Sequence, residues 1–295
     1  MTFDPPPIKL IAIDIDGTLV NPQKEITIRT REAIQAALAA GIHVTLATGR
    51  RYENSQQFAL ELGIHLPLIT YDGALIMQHP EQTVFEMQPL PASIAQRAVE
   101  VIVRHHVQPI VQHVTEQTEE TWSGLEEYDN PELAGYFAVY PNIRRFHHAE
   151  LCAGQPDPVR LVAFASVEAI VKMLPEIAAL PCTMDLLKRG NYGSAELSII
   201  RENCSKATAL AALAQRLSIP MEQVMAIGDN TNDIAMLQAA GLGVAMGQAR
   251  EEVKLAANVV TASNIEDGVA QAIERYALSS AESEDSNSSR RTTCR

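Results

Sequence analysis

The stretch that decides the fold is LIAIDIDGT, residues Leu10–Thr18. Its first four residues are apolar without a break, which is typical of a strand buried on both faces of a parallel sheet. Asp14 and Asp16 follow at the carboxyl end of this strand, where carboxylates are costly unless a cation or an anionic ligand organises them. Residues two apart on an extended chain point the same way, so both carboxylates can face one substrate. Gly17 then permits a tight turn away from the strand.

Strand and helix patterns alternate on the carboxyl side of this stretch. The predicted elements are a helix between the N-cap residue Thr27 and Gly41, a strand over Ile42–Ala47, a helix over Tyr52–Leu62 and a strand over Leu66–Thr70. The same alternation returns between Val224 and Tyr276. Such a series predicts an α/β fold with a Rossmann-like, doubly wound parallel sheet.

A segment of different character interrupts this pattern. Residues 82–189 are richer in His and Pro, and two of their strand patterns, Leu161–Phe164 and Thr183–Leu187, flank a helix from about Val167 to Ile177. We therefore predict a discontinuous core, residues 1–81 and 190–278, with an inserted α+β cap over 82–189. Residues 279–295 are almost free of apolar side chains and are predicted to be a disordered tail.

Three further groups of residues follow predicted strands or open a helix. Thr48-Gly49-Arg50 ends the second strand, where a hydroxyl and a backbone amide can hold a phosphate oxygen. Lys206 opens a helical pattern, and an ammonium group near a helix N-terminus suits an anion. Gly228–Asp233, GDNTND, ends another strand and places Asp229 and Asp233 four residues apart, on one side of a first helical turn.

These groups are predicted to converge, because ligands of open α/β sheets lie beyond the carboxyl ends of the strands. The carboxylates of Asp14, Asp16, Asp229 and Asp233 would repel one another strongly when crowded together. Hard oxygen ligands of this kind suit Mg2+, which also bridges to a substrate phosphate. The sequence thus predicts Mg2+ as the cofactor and a phosphorylated small molecule as the ligand.

Composition and charge limit the classes of partner. The formal net charge of −13 disfavours nucleic acid and anionic membranes, which need a basic face. No apolar run approaches the roughly 20 residues that span a bilayer, and the first residues lack the features of a signal peptide. The four cysteines are scattered without a CxxC pair, which argues against a disulfide framework and a zinc knuckle. We expect a cytoplasmic protein, either a monomer or a homodimer.

The motifs together resemble a known superfamily. DIDGT, ATGR, the lysine of NCSKATAL and GDNTND are similar, in order, to the four signatures of the haloacid dehalogenase superfamily. AMGQA and SNIEDGVA further resemble the Cof-type phosphatases, which carry a large α/β cap inserted after the third core strand. The resemblance covers most of residues 8–276 and is weakest in the cap, which in this family selects the substrate.

The resemblance implies a role for each motif residue. Asp14 is the nucleophile and a metal ligand, and Asp16 is the acid/base whose backbone carbonyl also binds Mg2+. Thr48, Gly49 and Lys206 hold the phosphoryl oxygens. Asp229 ligates the metal with Asp233 in support, and Asn232 reaches the phosphate. The implied reaction is hydrolysis of a phosphomonoester through an aspartyl-phosphate.

Three positions depart from the family pattern. Asp72 stands where relatives have Asn, Ala207 follows the lysine where Gly is common, and Gln248 replaces the usual Asn. Two outcomes are open for Asp72. It can pair with Arg50 or Arg51, or it can face the leaving group and favour substrates that offer hydroxyls or a positive charge.

Other functions remain open from the sequence. The second aspartate, Asp16, argues against a dehalogenase or a cation pump, but a sugar phosphomutase would carry the same motifs. A non-catalytic protein that binds phosphorylated metabolites is a further alternative, although no core catalytic residue is missing. The histidines His105, His106, His113, His147 and His148 match no metal-ligand spacing, and we expect them on the solvated surface of the cap.

Overall fold

The computed structural model describes residues 7–115, 118–188 and 192–279. The chain divides into two compact units. The first unit comprises Met1–Phe85 and Ser205–Arg295, and the second unit comprises Glu86–Cys204. None of the helices in the described part of the chain combines the length and apolarity needed to cross a membrane.

Strands and helices alternate along the first unit. Its strands are β1 (Leu10–Ile13), β2 (His43–Leu46), β3 (Leu68–Thr70), β4 (Leu75–Met77), β12 (Val224–Gly228), β13 (Leu242–Ala245) and β14 (Val259–Val260). Its helices are α1 (Ile28–Ala39), α2 (Tyr52–Leu62), α6 (Lys206–Arg216), α7 (Ile234–Ala239), α8 (Glu251–Ala256) and α9 (Gly268–Ala272). A wider π-type helix over Ile273–Leu278 continues α9.

The predicted parallel sheet is confirmed. Five parallel strands lie in the order β14-β13-β12-β1-β2. In register, Ile13 faces Ile227 on one side and Leu46 on the other, so the residues that follow these strands meet at one edge. All four residues of β1 are fully buried, as expected of a central strand with covered faces.

Side-chain and backbone caps explain where the helices begin and end. The Thr27 side chain accepts a hydrogen bond from the Thr30 amide at the start of α1, as the sequence predicted. Gly63 ends α2 in the left-handed conformation. Ser205 and Thr208 cap α6 reciprocally, with each side chain accepting from the other residue's backbone amide.

The third strand is shorter than predicted. β3 begins at Leu68, because Pro67 has no amide hydrogen to donate to a neighbouring strand. It adjoins the parallel sheet through a single bridge between Ile69 and Ala47. Its other edge pairs with β4, and a strand over Val84–Met87 (β5) completes a three-stranded sheet.

The second unit is a sheet with helices. Its strands are β6 (Pro109–Val114), β7 (Glu119–Ser123), β8 (Ile143–Arg145), β9 (Arg160–Ala165), β10 (Cys182–Leu187) and β11 (Ala195–Arg201), in the order β10-β11-β9-β6-β7-β8. Its helices are α3 (Ala92–Arg104), α4 (Ala134–Val139) and α5 (Val167–Ala178). One core cluster joins α3 and α5 to Val111, Leu161 and Leu197, and a second joins Tyr136 to Ile110 and Phe164.

The boundaries between the two units differ from the predicted boundaries of the cap at residues 82 and 189. β11 pairs antiparallel with both β10 and β9, and Leu197 and Ile199 are buried in the core of the second unit. Residues 190–204, predicted to belong to the core, therefore lie in the second unit. β11 is thus the antiparallel neighbour of β10 within the sheet of the second unit.

Two further expectations concern the tail and His113. Ser279 ends the C-terminal helical segment, and the remainder of the predicted tail, residues 280–295, lies outside the described residues. The expectation that His113 is solvated is wrong, because its side chain is buried against Trp122 with the ring centroids 3.9 Å apart. Burial lowers the pKa of His113 to about 4, which the nearby Glu120 carboxylate only partly opposes.

Candidate active site

The carboxyl edge of the parallel sheet gathers the predicted site residues of the first unit. Asp14 follows β1, Thr48 lies two residues after β2, and Asp229 follows β12. The Asp14 amide donates to the Ile227 carbonyl over 3.0 Å, which extends the sheet pairing up to the aspartate. Lys206 is the first residue of α6.

Lys206 is a buried cation between two buried carboxylates. Its Nζ atom donates to Oδ1 of Asp14 and to Oδ1 of Asp233, each over 2.7 Å. Burial disfavours the charged lysine, but Asp14 and then Asp233 outweigh that effect and raise its pKa. Burial raises the pKa of Asp14 well above its usual value, and the Lys206 charge offsets this in part.

Asp233 braces the loop that carries Asp229. Its second carboxylate oxygen accepts hydrogen bonds from the backbone amides of Asp229 and Asn230, both over 3.0 Å. A Cβ atom at Gly228 would lie 2.5 Å from Cγ of Asp233, so only glycine allows this close approach. Asp233 therefore links the loop to Lys206 and fixes the position of Asp229.

Asp229 faces the turn that follows β1. Its Oδ1 atom accepts a hydrogen bond from the Thr18 hydroxyl over 3.1 Å. Gly17 passes close to its other oxygen, because a Cβ there would lie 2.4 Å from Oδ2 of Asp229. Burial, followed by repulsion from Asp233, raises the pKa of Asp229 to about 6.

The acidic residues fit a divalent cation. Carboxylate oxygens of Asp14, Asp229 and Asp233 all lie within 4.8 Å of one another. Burial, and then repulsion from neighbouring carboxylates, raises the pKa values of Asp14 and Asp229, so a cation would stabilise their ionised forms. Both oxygens of Asp233 already bind Lys206 and the loop amides, so Asp14 and Asp229 have the better placed ligand atoms. An all-oxygen donor set of this kind suits Mg2+.

The Asp16 carboxylate pairs with two cationic side chains and does not belong to this cluster of carboxylates. Arg50 donates to both of its oxygens, over 2.6 and 2.7 Å, and Lys24 Nζ lies 2.6 Å from Oδ1. Burial opposes ionisation, yet the hydrogen bonds and charge of Arg50, and then of Lys24, lower the pKa of Asp16 to about 2. Sequence reasoning assigned the metal contact of Asp16 to its backbone carbonyl, and the side-chain pairing leaves that assignment untouched.

The remaining predicted residues, Thr48, Gly49 and Asn232, contact Arg50 and Asp72. The Thr48 hydroxyl accepts a hydrogen bond from the Arg50 amide over 3.1 Å. Asn232 donates from Nδ2 to Oδ1 of Asp72 over 2.9 Å. The Asp72 carboxylate packs against Gly49, where a Cβ would lie 2.8 Å from its Oδ1. The sequence alternatives for Asp72 did not include Asn232 as a partner.

Two residues that sequence reasoning did not assign to the site hold the loop after Asp16. Gln248 donates from Nε2 to the Gly17 carbonyl over 2.5 Å and accepts from the Asn264 amide over 3.1 Å. Asn264 donates from Nδ2 to the Val20 carbonyl over 2.8 Å. The signal lay in the AMGQA and SNIEDGVA stretches, which the resemblance included but to which no contact could be assigned.

Comparisons with known proteins identify the family of the chain. Residues 11–273 match the model of the haloacid dehalogenase-like hydrolases. The chain is 33% identical to the 5-amino-6-(5-phospho-D-ribitylamino)uracil phosphatase YcsE of Bacillus subtilis, over 92% of this chain and 96% of that protein. It is 30% identical to the pyridoxal phosphate phosphatase YbhA of Escherichia coli, over 92% of this chain and 99% of that protein.

A solved structure gives the same result for the fold. The chain superposes on a subclass IIB sugar phosphatase of the superfamily with a TM-score of 0.73 and 28% sequence identity, over 91% of this chain and 98% of that chain. The match to the family spans both units of the molecule. From the motifs, their convergence at one edge of the sheet and these similarities, we conclude that the chain belongs to the haloacid dehalogenase-like hydrolases and is a phosphoric monoester hydrolase.

Proposed function

We propose that the protein is a Mg2+-dependent phosphatase that hydrolyses small phosphorylated metabolites through an aspartyl-phosphate on Asp14. The observation that carries the proposal is the contact between Lys206 and Asp14. A buried ammonium group 2.7 Å from a buried carboxylate at a strand end gives a phosphoryl group a nucleophile and a cation at one point.

The metal would be held by the Asp14 and Asp229 carboxylates and by the Asp16 backbone carbonyl, with Asp233 bracing the loop. When bound, Mg2+ supplies positive charge that offsets the charge of the phosphoryl group. The crowding of the carboxylates of Asp14, Asp229 and Asp233 supports this part of the proposal.

The first half of the reaction transfers the phosphoryl group to the protein. An Asp14 oxygen attacks phosphorus in line and forms an acyl-phosphate bond while the ester bond to the leaving oxygen breaks. Lys206 and the Thr48 loop bind the phosphoryl oxygens. Asp16 gives its proton to the departing alcohol, which would otherwise leave as an alkoxide.

The second half returns Asp14 to its starting state. Asp16, now a carboxylate, takes a proton from a water molecule, and the water oxygen attacks phosphorus and displaces the Asp14 carboxylate as inorganic phosphate forms. The ion pairs of Asp16 with Arg50 and Lys24 suit this carboxylate form. Protonation for the first half therefore requires Asp16 to leave these partners.

The proposed substrate class is supported by the named relatives, which are phosphatases of 5-amino-6-(5-phospho-D-ribitylamino)uracil, of pyridoxal phosphate and, for the solved structure, of a sugar phosphate. We extend this class, sugar phosphates or phosphorylated cofactors, to the present protein and assign the choice among them to the second unit. A cytoplasmic site of action is part of the proposal, and the free thiols of Cys152, Cys182 and Cys204 support a reducing compartment.

The test is phosphate release from a panel of sugar phosphates, nucleotides and phosphorylated cofactors in the presence of Mg2+. Wild type should hydrolyse at least one class, and Asp14→Asn should abolish turnover because it removes the nucleophile while keeping the side-chain shape. Acid quenching during turnover should trap phosphate on a peptide that contains Asp14. Activity of Asp14→Asn within tenfold of wild type, in a preparation free of contaminating phosphatase, would rule out the covalent mechanism.

A further inference from the structure

Asp72 and Asn232 join two loops that lie 160 residues apart in the chain. Nδ2 of Asn232 lies 2.9 Å from Oδ1 of Asp72. Both side chains are partly buried, and Asn232 immediately precedes Asp233, which binds Lys206. The contact therefore lies within the same group of loops as the nucleophile and its lysine.

The backbone fixes where the Asp72 carboxylate lies. The amides of Asp72 and Tyr71 donate to the carbonyls of Thr48 and Arg50, over 3.1 and 3.0 Å. Tyr71, Asp72 and Gly73 all have positive φ angles, of 52°, 55° and 100°. Gly73 is required here, because a Cβ would lie 2.1 Å from the Ser205 carbonyl oxygen. The backbone hydrogen bonds and the close approach to Ser205 thus hold the loop on two sides without any contribution from side chains.

A carboxylate at this position decides which way the Asn232 amide points. An ionised carboxylate only accepts hydrogen bonds, so the NH2 group of Asn232 and not its oxygen must face Asp72. An asparagine at position 72 would offer both a donor and an acceptor and would accept either orientation. The Asp72 bond uses one of the two hydrogens on Nδ2 and leaves the second for another acceptor.

We propose that Asp72 is a positioning residue that orients the Asn232 amide so that its second N–H donates to a phosphoryl oxygen. This inference rests on the proposed function only in naming the phosphoryl group as the ligand. The effect of Asp72 on phosphate affinity that it predicts is opposite in sign to the effect of charge repulsion alone. A carboxylate acting through repulsion would weaken anion binding, whereas a carboxylate that orients a donor strengthens it.

The test measures the binding of inorganic phosphate by calorimetry in the presence of Mg2+, so that no turnover is needed. Asp72→Ala and Asn232→Ala should each raise the dissociation constant about fivefold, the effect of one hydrogen bond. The double variant should be no worse than either single variant, because both remove the same contact to phosphate. Asp72→Asn should stay within about twofold of wild type, since its carbonyl oxygen can still accept from Asn232.

Two controls separate orientation from charge and from loop damage. Glu61→Gln removes a surface charge that pairs with Arg31 and should leave phosphate binding unchanged. Asp72→Gly suits the positive φ angle better than alanine and should show the same loss as Asp72→Ala. Equal losses in these two variants exclude backbone strain as the cause.

Tighter phosphate binding by Asp72→Ala, additive effects in the double variant, or no phosphate binding by wild type would each overturn the inference. The proposed function fails in a different way, through a lack of hydrolysis across the phosphomonoester panel. A protein that binds phosphate with the expected non-additive pattern but releases none from substrates would retain the inference and lose the proposed reaction.

Discussion

Lys206 and Asp14 are separated by 192 residues, yet both are buried and the Nζ atom of Lys206 donates to Oδ1 of Asp14 over 2.7 Å. The lysine is 1% exposed and reaches Asp233 at the same distance. One ammonium group thus neutralises part of the charge on two elements that are distant in the chain. We expect its position to serve stability as well as the proposed binding of phosphate.

Lys206→Met should therefore unfold more easily. The variant leaves two buried carboxylates without their cation, which costs about 3–5 kcal/mol when a buried pair loses one partner. Urea denaturation in the presence of a chelator measures this loss without metal compensation. The matched control is Lys172→Met, whose exposed pair with Glu168 contributes little to stability. Similar stabilities for the two variants would contradict the assigned role of Lys206.

Asp16→Asn should impair alkyl phosphates much more than p-nitrophenyl phosphate. The alkyl leaving group needs a proton from Asp16, whereas p-nitrophenolate leaves with little protonation. We expect the loss in the rate constant of the first half-reaction to differ by about 100-fold between the two substrates, the lower end of the usual effect of one general acid. The measurement is a burst of alcohol or nitrophenolate release. Equal losses of rate for the two substrates would show that Asp16 is not the general acid.

Gly17→Ala should damage the site, while Gly41→Ala should not. Both glycines have similar positive φ angles, 84° and 79°, so alanine introduces comparable backbone strain of about 1–2 kcal/mol at each. A Cβ at Gly17 would meet the Asp229 carboxylate at 2.4 Å, whereas a Cβ at Gly41 meets nothing within 4 Å. The concentration of Mg2+ that gives half-maximal activity should rise only for Gly17→Ala. Equal Mg2+ requirements in the two variants would show that Asp229 does not bind the metal.

Chelation with EDTA should abolish hydrolysis, and Mg2+ should restore it. Mg2+ should also raise the melting temperature of wild type, because it binds the crowded carboxylates of the folded state. Asp229→Asn should lose most of that increase. Ca2+ should be a poor substitute, since it prefers more ligands at longer distances and would disturb in-line attack. Full activity in chelator would refute the metal assignment.

His113 should make the protein less stable in mild acid. Burial is the main cause of its lowered pKa, about 4 against an ordinary 6.5, so the unfolded chain binds a proton in this range that the folded protein does not. The free energy of unfolding should fall by up to about 1.4 kcal/mol per pH unit from pH 6.5 down to pH 4. His113→Phe keeps a ring against Trp122 without a titrating group. Parallel stability curves for wild type and His113→Phe would contradict this prediction.

The sequence predicted the main sheet well, because its signals are local. The apolar run Leu10–Ile13, the Thr27 cap and the glycine after Leu62 each act within a few residues, and each matches the structure. The positions of Asp14, Thr48 and Asp229 follow from the same strands, since strand ends in a parallel sheet share one edge.

The interactions that the sequence did not predict depend on pairing over long distances. β11 was assigned to the core because no local signal tells which sheet a strand joins, and its partners β9 and β10 decide this. The same holds for the bonds from Arg50 to Asp16 and from Asn232 to Asp72, which depend on side-chain direction at loops. His113 was expected on the surface because its spacing matches no metal-ligand motif, while its burial follows from its place in the strand β6.

The division of the chain into units also sets the order in which the protein can fold during its synthesis. The second unit is continuous, Glu86–Cys204, whereas the first is completed only by residues that follow it. At the roughly 5–20 residues per second of translation, domains fold as their segments leave the ribosome. The inserted unit can therefore fold before β12 and Lys206 have been synthesised. At that stage Asp14 lacks both its neighbouring strand and the lysine that offsets its charge. We expect the nascent chain to acquire a stable β6–β11 sheet before it acquires any capacity to bind phosphate.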